Sequence, residues 1–389
     1  GTNPPQGGEA SWYNSALLIS AGATGAFLSD NIISFFAFHE LALIPTFVMI
    51  GLYGRGDRRT TAWRATLYLG LASMVLLAAL LMIGTQAGFT FSGLKDFMAS
   101  GRELAHAELI GALLIAGFGT LISLFPFHSW AAPAYASAPA PVAMMHAGVL
   151  KKFGLYGLFM FQPLMETGFL PWTNILLVLL VCNVIWVGYV TVNQKRLDLL
   201  LGNSSVMHMG YIFLAFAALV VSGSAEANPW ALKGAALLML AHGLTIALLF
   251  LLCGQIEKQT GTLEINSLGG LSTRLPRMAF VFGLAGMASI GLPGLANFPG
   301  EFMVFFSGFA GFSNGFGPVQ IATILCLWGL VIGAVYMLRA YRNIFQGDLS
   351  KASAYATGLQ PSERAANCFL VIALAVFGFF PTLVLQFFS

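Results

Sequence analysis

The sequence predicts an all-α polytopic membrane protein with about 11–12 transmembrane segments. Apolar residues make up 58% of the chain and charged residues only 8%, whereas soluble domains carry about 25% charged residues. The mean hydropathy is +0.81. Successive apolar runs, each near the ~20 residues that cross a bilayer as a helix, follow one another with little polar sequence between them. Since lipid satisfies no backbone donors and the alternation of a membrane barrel is absent, helices are the only plausible state.

These apolar runs account for almost the whole chain. Residues 1–11 are rich in Gly, Pro and Asn and are predicted to be a loose extramembrane end, followed by a single transmembrane domain over residues 12–387. Helices are predicted at 12–28, 31–53, 62–87, 106–125, 139–161, 173–192, 204–221, 232–256, 277–292, 298–312, 319–341 and 366–387. The first residue is not Met and the start lacks the features of a signal peptide, so we expect the chain to begin downstream of its natural start.

Four loops hold most of the basic residues, at 55–64, 194–196, 257–277 and 339–351. Because positive loops favour the cytoplasmic or matrix side, we expect all four on one side of the membrane. Three predicted helices lie between the third and fourth loops. Three crossings would place the fourth loop on the opposite side of the membrane, unless two of these helices form one interrupted span. The sequence GLPGLANFPGE supplies the prolines and glycines for such an interruption.

Two breaks are therefore predicted, near 125–138 and near 291–300. Each is Pro-rich and leads into a helix with an ionisable residue, Lys152 after the first and Glu301 after the second. Paired broken helices are typical of transporters built from two inverted repeats, with ion sites at the breaks. The two stretches share only this pattern, so the repeat is a hypothesis.

Glu40 and Lys152 lie in apolar helices, where an unpaired charge costs several kcal/mol. A movable contact between them would change the proton affinity of both groups. Lys151 points about 100° away from Lys152 on a helix, so we expect Lys151 to reach the interface while Lys152 faces the interior. The structural alternatives for Glu40 are a position in a short interfacial loop or a structural ion pair, and the alternative for the lysines is that both reach the interface.

His208 shares a helix face with Ser204 and Tyr211, and His242 shares one with Thr245. Histidine takes and releases a proton near neutral pH, and neighbouring hydroxyls can hold relay waters. The alternative for each is a plain interhelical hydrogen bond.

Glu301 lies near a helix start, where the dipole stabilises a carboxylate, and is either a terminal proton acceptor or an N-terminal cap. His128 and His146 flank the first break, where water is within reach.

No cofactor or metal is predicted on this chain. The four cysteines lie far apart without a CxxC pair, and the histidines lack ligand spacing. No nucleotide-binding glycine loop follows a strand pattern. The net charge of +3 is small and spread over short loops, which excludes nucleic-acid binding.

Five stretches in the same order resemble the antiporter-like M-type subunits of NADH-quinone oxidoreductase (respiratory complex I), the counterparts of mitochondrial NADH dehydrogenase subunit 4. They are FFAFHELALIPTFVMIGLYG, PFHSWAAPAYASAPAPVAMMHAGVLKKFGLYGL, NSSVMHMGYIF, AHGLTIALLFLLCGQIEKQTGT and GLPGLANFPGEFMVFF. The resemblance implies two inverted repeats with broken helices and a share of proton pumping driven by distant quinone reduction. It also implies partners among other membrane-arm subunits, contact with lipid, protons and water, and a bacterial inner membrane or an organellar energy-converting membrane.

By motif, the resemblance places the family's proton-relay residues on Glu40, Lys152, His208, His242 and Glu301. Two departures stand out. The chain lacks helices with which the family usually starts, and the lysine that commonly precedes the Ser-Ser element is replaced by Asp198. Lys195 lies one turn earlier and could supply that charge, and His146 is a further relay candidate.

Three other functions are compatible with the sequence. The chain could belong to a monovalent cation/proton antiporter, or to the membrane arm of an energy-converting hydrogenase or formate-linked complex. It could also be a bundle that only scaffolds partners, in which case replacing its buried charges would be harmless.

Overall fold

A computed structural model describes residues 8–310 and 315–388. These residues are mostly helical and form no β-strand, with only isolated bridges between Asn31 and Thr90 and between Arg196 and Glu264. The predicted all-α class is confirmed. Residues 1–7 of the predicted loose end lie outside the described part, and the first helix begins at Glu9.

The helices are α1 (Glu9–Leu28), α2 (Ile32–Tyr53), α3 (Arg58–Ala87), α4 (Phe91–Ala99), α5 (Ala107–Ile122), α6 (Ala131–Ser137), α7 (Ala140–Met145), α8 (Lys152–Met160), α9 (Thr173–Val192), α10 (Leu197–Ser222), α11 (Pro229–Thr260), α12 (Leu271–Arg274), α13 (Pro276–Ser289), α14 (Asn297–Ser307), α15 (Pro318–Phe345), α16 (Pro361–Phe379) and α17 (Thr382–Leu385). A π-helical turn, His146–Leu150, joins α7 to α8, and a second, Met165–Phe169, precedes α9.

Seven helical segments of the described chain are long and apolar enough to cross a membrane. They contain α2, α3, α9, α10, α11, α15 and α16, and α5 is a shorter apolar helix. Three short helices, α4, α6 and α12, were not predicted, and α6 lies inside the stretch predicted as the first break.

Helix α10 lies at the centre of the bundle, and every residue from Leu200 to Val220 is buried. It packs against α6, α9, α11, α14 and α15. A helix that is covered on all sides has no lipid face, so each polar side chain on it must find a partner inside the protein.

Protein groups stabilise the first break, between α5 and α6. The Asn183 side-chain amide on α9 donates to the carbonyls of Ser123 and Val206, each at 3.1 Å, and its oxygen accepts from the amide of Phe125 at 2.5 Å. Trp130 Nε1 donates to the Thr120 carbonyl at 3.1 Å. Since lipid offers no such groups, these bonds allow non-helical backbone at this depth.

Helices α13 and α14 are separated by the non-helical residues 290–296. Helix α13 begins next to the basic loop at 257–277, and α14 ends near α11 at the other end of the bundle, where Asn228 Nδ2 donates to the Ser307 carbonyl at 2.9 Å. The two helices together therefore traverse the bundle once.

The four basic loops meet at one end of the bundle, as predicted. Their contacts are an Arg55–Glu257 ion pair, the Arg196–Glu264 bridge, a bond of 2.7 Å from Arg339 to the Gln194 carbonyl, and a bond of 3.0 Å from the Gly270 amide to the Gln346 carbonyl. We call this end the basic end.

Candidate functional site

Lys152 and Lys151 follow the π-helical turn and are both buried, with only 4% and 2% of their surfaces exposed. Lys152 Nζ donates to the Ala147 carbonyl in that turn at 2.6 Å. The prediction that Lys151 reaches the interface is wrong. The turn and α8 pack against α2, α5, α10 and α11, and Lys152 also lines a cavity of about 410 Å³ that opens to the bundle surface beside the exposed Val149.

Glu40 on α2 is half-buried and accepts a hydrogen bond from Ser73 Oγ at 2.5 Å. His39 Nδ1 lies 3.4 Å from Glu40 Oε1. No ion pair joins Glu40 to Lys152 among the described residues, so the predicted direct contact is not formed in this conformation. The buried His39 ring packs edge-on against Phe153, the neighbour of Lys152, at 5.7 Å between ring centroids.

His39 was not singled out from the sequence. A histidine directly beside a glutamate in an apolar segment could have indicated it as a candidate site residue. His39 lies beside the Glu40 carboxylate and against Phe153, the neighbour of Lys152. Its imidazole therefore connects Glu40 to the region of the two lysines.

His242 on α11 and His208 on α10 stack with their ring centroids 5.1 Å apart and an interplanar angle of 24°. Ser205 Oγ lies 3.2 Å from His242 Nε2. The two nitrogens of His208 face the carbonyl oxygens of Ser204, at 2.8 Å, and Ser289, at 2.9 Å.

Carbonyl oxygens only accept hydrogen bonds, and a neutral imidazole donates from one nitrogen only. Both contacts of His208 are therefore hydrogen bonds only when the ring carries two protons. The stacked arrangement allows one positive charge on the pair, since two adjacent imidazolium rings repel each other. His208 is thus a place where the bundle can hold an excess proton.

Hydroxyl groups continue from His208 toward the second break. Ser204 Oγ lies 2.7 Å from the buried Tyr336 hydroxyl on α15, and either oxygen can be the donor. Tyr336 and the buried Tyr211 both interact electrostatically with Glu301. On a parallel branch, Thr245 Oγ1 donates to Asn297 Oδ1, at the start of α14, at 3.0 Å.

Glu301 is the fifth residue of α14 and is only 3% exposed. No side chain caps α14, so the capping role is not observed. Glu301 Oε1 has no hydrogen-bond partner in the structure, and Glu301 lines a cavity of about 350 Å³ together with Gly291 and Phe302. Gly291, with φ +77°, leaves the space that the carboxylate occupies.

Two other residues singled out from the sequence, Asp198 and Lys195, lie away from the histidine pair. Asp198 is buried near the basic end, paired with Arg196 at 2.7 Å and bonded to the amide of Leu199 at 2.8 Å. The bond to Asp198 holds the pKa of Arg196 above its ordinary value, so Arg196 stays charged. Lys195 is exposed. The structure therefore brings neither Asp198 nor Lys195 to the histidine pair.

His146 is buried in the π-helical turn against the rings of Trp130, at 5.6 Å, and Tyr135, at 5.3 Å between centroids. His128 is stacked on Phe125 in the first break. Among the described residues, no group of three or more His, Cys, Asp or Glu side chains is placed to hold a metal ion.

The profile of the NADH:quinone oxidoreductase/Mrp antiporter transmembrane family matches residues 29–330. The chain belongs to this family. It is 35% identical over 380 residues to "NAD(P)H-quinone oxidoreductase chain 4 1" of Synechococcus elongatus, which covers 95% of this chain and 68% of the relative. This match confirms the resemblance to the M-type, or chain 4, subunits.

Solved structures of the family share the fold. A chain of respiratory complex I from Thermus thermophilus with bound NADH matches with a TM-score of 0.87 and 27% identity, over 98% of this chain and 78% of that one. A chain of the Mrp complex from Dietzia sp. matches with a TM-score of 0.81 and 20% identity, over 96% of this chain and 76% of that one. These matches confirm the antiporter-like membrane fold.

The chain spans 64–70% of the length of the first curated relatives it matches. Those relatives are subunits of an oxidoreductase complex by name, and the matched Thermus and Dietzia chains are parts of named complexes.

Proposed function

We propose that this chain is a proton-translocating membrane-arm subunit of a complex I-type NAD(P)H-quinone oxidoreductase. The observation that carries the proposal is one line of buried ionisable and hydroxyl side chains through the centre of the bundle. The line runs through Lys152, His242, His208, Tyr336 and Glu301. Buried ionisable groups in a membrane protein mark ion pathways by default, because each is costly to keep there.

The proton passes along this line by short steps. Lys152 holds it against the Ala147 carbonyl, 2.6 Å away. His242 interacts electrostatically with Lys152, stacks on His208 and can pass the proton to it. His208 holds the proton between its two carbonyl partners until Glu301 accepts it through the Ser204–Tyr336 hydroxyls and water.

Glu40 controls the loading of Lys152 from a distance. Its carboxylate oxygen lies 3.4 Å from His39 Nδ1, and the His39 ring lies against Phe153. A change in the charge of Glu40 therefore alters the electrostatic field at Lys152 without a direct ion pair.

The chain's role in the enzyme is proton transfer, and electron transfer belongs to other subunits. Relatives named as quinone oxidoreductase chains support partners in a membrane arm. Their bacterial sources support a bacterial energy-converting membrane, with the chain exchanging protons with water and surrounded by lipid where partners do not cover it.

The test uses the complete complex in sealed liposomes, with NADH-driven quinone reduction and proton uptake recorded together. Lys152→Ala and Glu301→Gln are each expected to lower the number of protons moved per electron pair by removing a station of the relay. The matched control is Lys351→Ala, which removes an exposed lysine at the basic end. Wild-type proton uptake in both relay variants would refute the proposed function.

A second candidate function is a monovalent cation/proton antiporter subunit. It is favoured by the family profile, which includes Mrp antiporters, and by the fold shared with the Dietzia Mrp complex. Sodium-dependent proton exchange by the native complex without NADH or quinone would favour this function over the first.

A further inference from the structure

A second group of polar side chains is buried beside Lys152 but lies off the central line. It contains Lys151 Nζ, the Tyr135 hydroxyl and His146 Nδ1, and none of these three atoms has a hydrogen-bond partner in the structure. Leaving a buried polar group unpaired costs about 1–3 kcal/mol. Three such groups in one place therefore need an explanation other than packing.

Lys151 and His146 both lie against the ring of Tyr135. Lys151 Nζ lies 5.5 Å from the centroid of the Tyr135 ring, and the His146 ring lies 5.3 Å from the same ring. Three further aromatic side chains pack against the group: Phe47 on α2, Trp130 just before α6, and Phe250 on α11. An ammonium ion over an aromatic face is stabilised only partly, so this environment does not replace a hydrogen-bond acceptor.

Among the described residues, no carboxylate compensates Lys151. The ionisable groups with which it interacts electrostatically come from every side of the pocket and are Lys152 on α8, His146 in the π-helical turn, His128 in the first break, His208 on α10 and His242 on α11. His39 on α2 reaches the same pocket through His146. Two adjacent ammonium ions here would repel each other with no anion nearby.

The hydrogen bonds distinguish the two lysines. Lys152 Nζ donates to a carbonyl, which suits an ammonium, whereas Lys151 Nζ has no acceptor, which suits a neutral amine with a free lone pair. The pair is therefore arranged to hold one proton, with Lys151 as the vacant position in this conformation.

We propose that Lys151 is a second proton-carrying residue, which takes the proton from Lys152 and passes it by way of Tyr135 and water to His146. In the first step an N–H bond of Lys152 breaks and one forms on Lys151. In the second, Lys151 releases that proton and His146 Nδ1 gains one, and no electron is transferred. The proposal rests on the proposed role of Lys152.

The branch leads from the centre of the bundle to the first break. His146 lies against Trp130, and Trp130 follows directly after the half-buried His128 and Ser129. His128 Nδ1 is also without a hydrogen-bond partner. Lys151 thus connects the central line to irregular backbone, which in membrane transporters is found next to hydrated cavities.

Lys151→Leu in the complete complex tests the proposal, because leucine fills the apolar pocket without a charge. We expect the number of protons taken up per electron pair to fall by this chain's share, because one proton-transfer group is lost, and its pH profile to shift. Thermal stability should be unchanged or higher, since an unpaired charge is removed. Lys351→Leu, at an exposed site, serves as the matched control.

Tyr135→Phe is the second variant, because it keeps the ring and removes only the hydroxyl. It is expected to lower proton uptake and to leave the melting temperature near the native value. Native uptake with a native pH profile in Tyr135→Phe and Lys151→Leu overturns this proposal. If Lys152→Ala still lowers uptake in that case, the proposed function stands. Native uptake in both Lys152→Ala and Glu301→Gln overturns both.

Discussion

At the scale of single residues, Gly291 shows how the second break positions Glu301. Its φ of +77° is rarely adopted by a residue with a side chain, and a Cβ at this position would overlap Glu301 Oε2. Conformation and space therefore both require glycine here. The missing side chain of Gly291, in the second break, leaves the space that the buried Glu301 carboxylate occupies.

Gly291→Ala is expected to displace the Glu301 carboxylate and to lower proton uptake by up to this chain's share, through loss of the terminal acceptor. Part of the effect is backbone strain, which costs roughly 1–2 kcal/mol in this conformation. Gly347→Ala isolates that part, because Gly347 has a similar φ of +80° and open space around it. Equal proton uptake in the two variants, measured in liposomes, would contradict the steric role of Gly291.

Candidate site residues could be chosen from the sequence where an ionisable group interrupts an apolar run, as with Glu40, Lys152 and Glu301. The orientation of neighbouring side chains was not predictable in the same way. Lys151 was expected to reach the interface because helical geometry separates it from Lys152, but its side chain is only 2% exposed. Tyr336 is one of ten tyrosines, and only the packing of α15 against α10 places it beside Ser204.

At the scale of elements, the π-helical turn His146–Leu150 immediately precedes the two lysines and determines their positions in the bundle. Its wider winding brings the Ala147 carbonyl within 2.6 Å of Lys152 Nζ. The sequence predicted one continuous helix over 139–161, because a π-helical turn has no marker in the pattern of apolar residues. Helix α6 was missed for a related reason, since prolines on both sides of a short alanine-rich segment indicate a loop.

Deletion of Val149, whose side chain is 41% exposed, is expected to convert the turn into regular α-helix. The Lys152 ammonium would then lose its carbonyl acceptor, while α8 keeps its packing. We expect the complex to assemble and reduce quinone but to move fewer protons per electron pair. Val149→Ala, which shortens the same side chain without changing the turn, is the control. Native proton uptake after the deletion would show that the turn is not needed for transfer.

At the scale of the whole molecule, the basic loops determine how the chain is oriented in the membrane, and so the direction in which the relay moves protons. Their distribution along the sequence correctly placed them at one end, because charge in short loops is a property of composition. The line of buried polar side chains on α10, α11 and α15 could not be predicted in this way, since it depends on which helix faces meet. The loop at Arg102 lies at the opposite end, next to Gly223 after α10.

This arrangement predicts the labelling pattern of single cysteines by a membrane-impermeant maleimide in oriented vesicles. The parent chain carries Cys368→Ser, because Cys368 is exposed while Cys253 and Cys326 are buried. Arg59→Cys and Lys351→Cys, both at exposed positions of the basic end, are expected to react from the same side. Arg102→Cys is expected to react only from the other side.

Cys182 is half-buried within the membrane span α9, so the parent chain with no added cysteine measures its contribution to the labelling. Proton uptake in each variant, recorded in the same vesicles, confirms that the labelled chain is part of a working complex. If the two positions of the basic end react from opposite sides, α13 and α14 cannot form one interrupted span. The line from Lys152 to Glu301 would then not cross between the two halves of the bundle, and the proposed relay would fail with it.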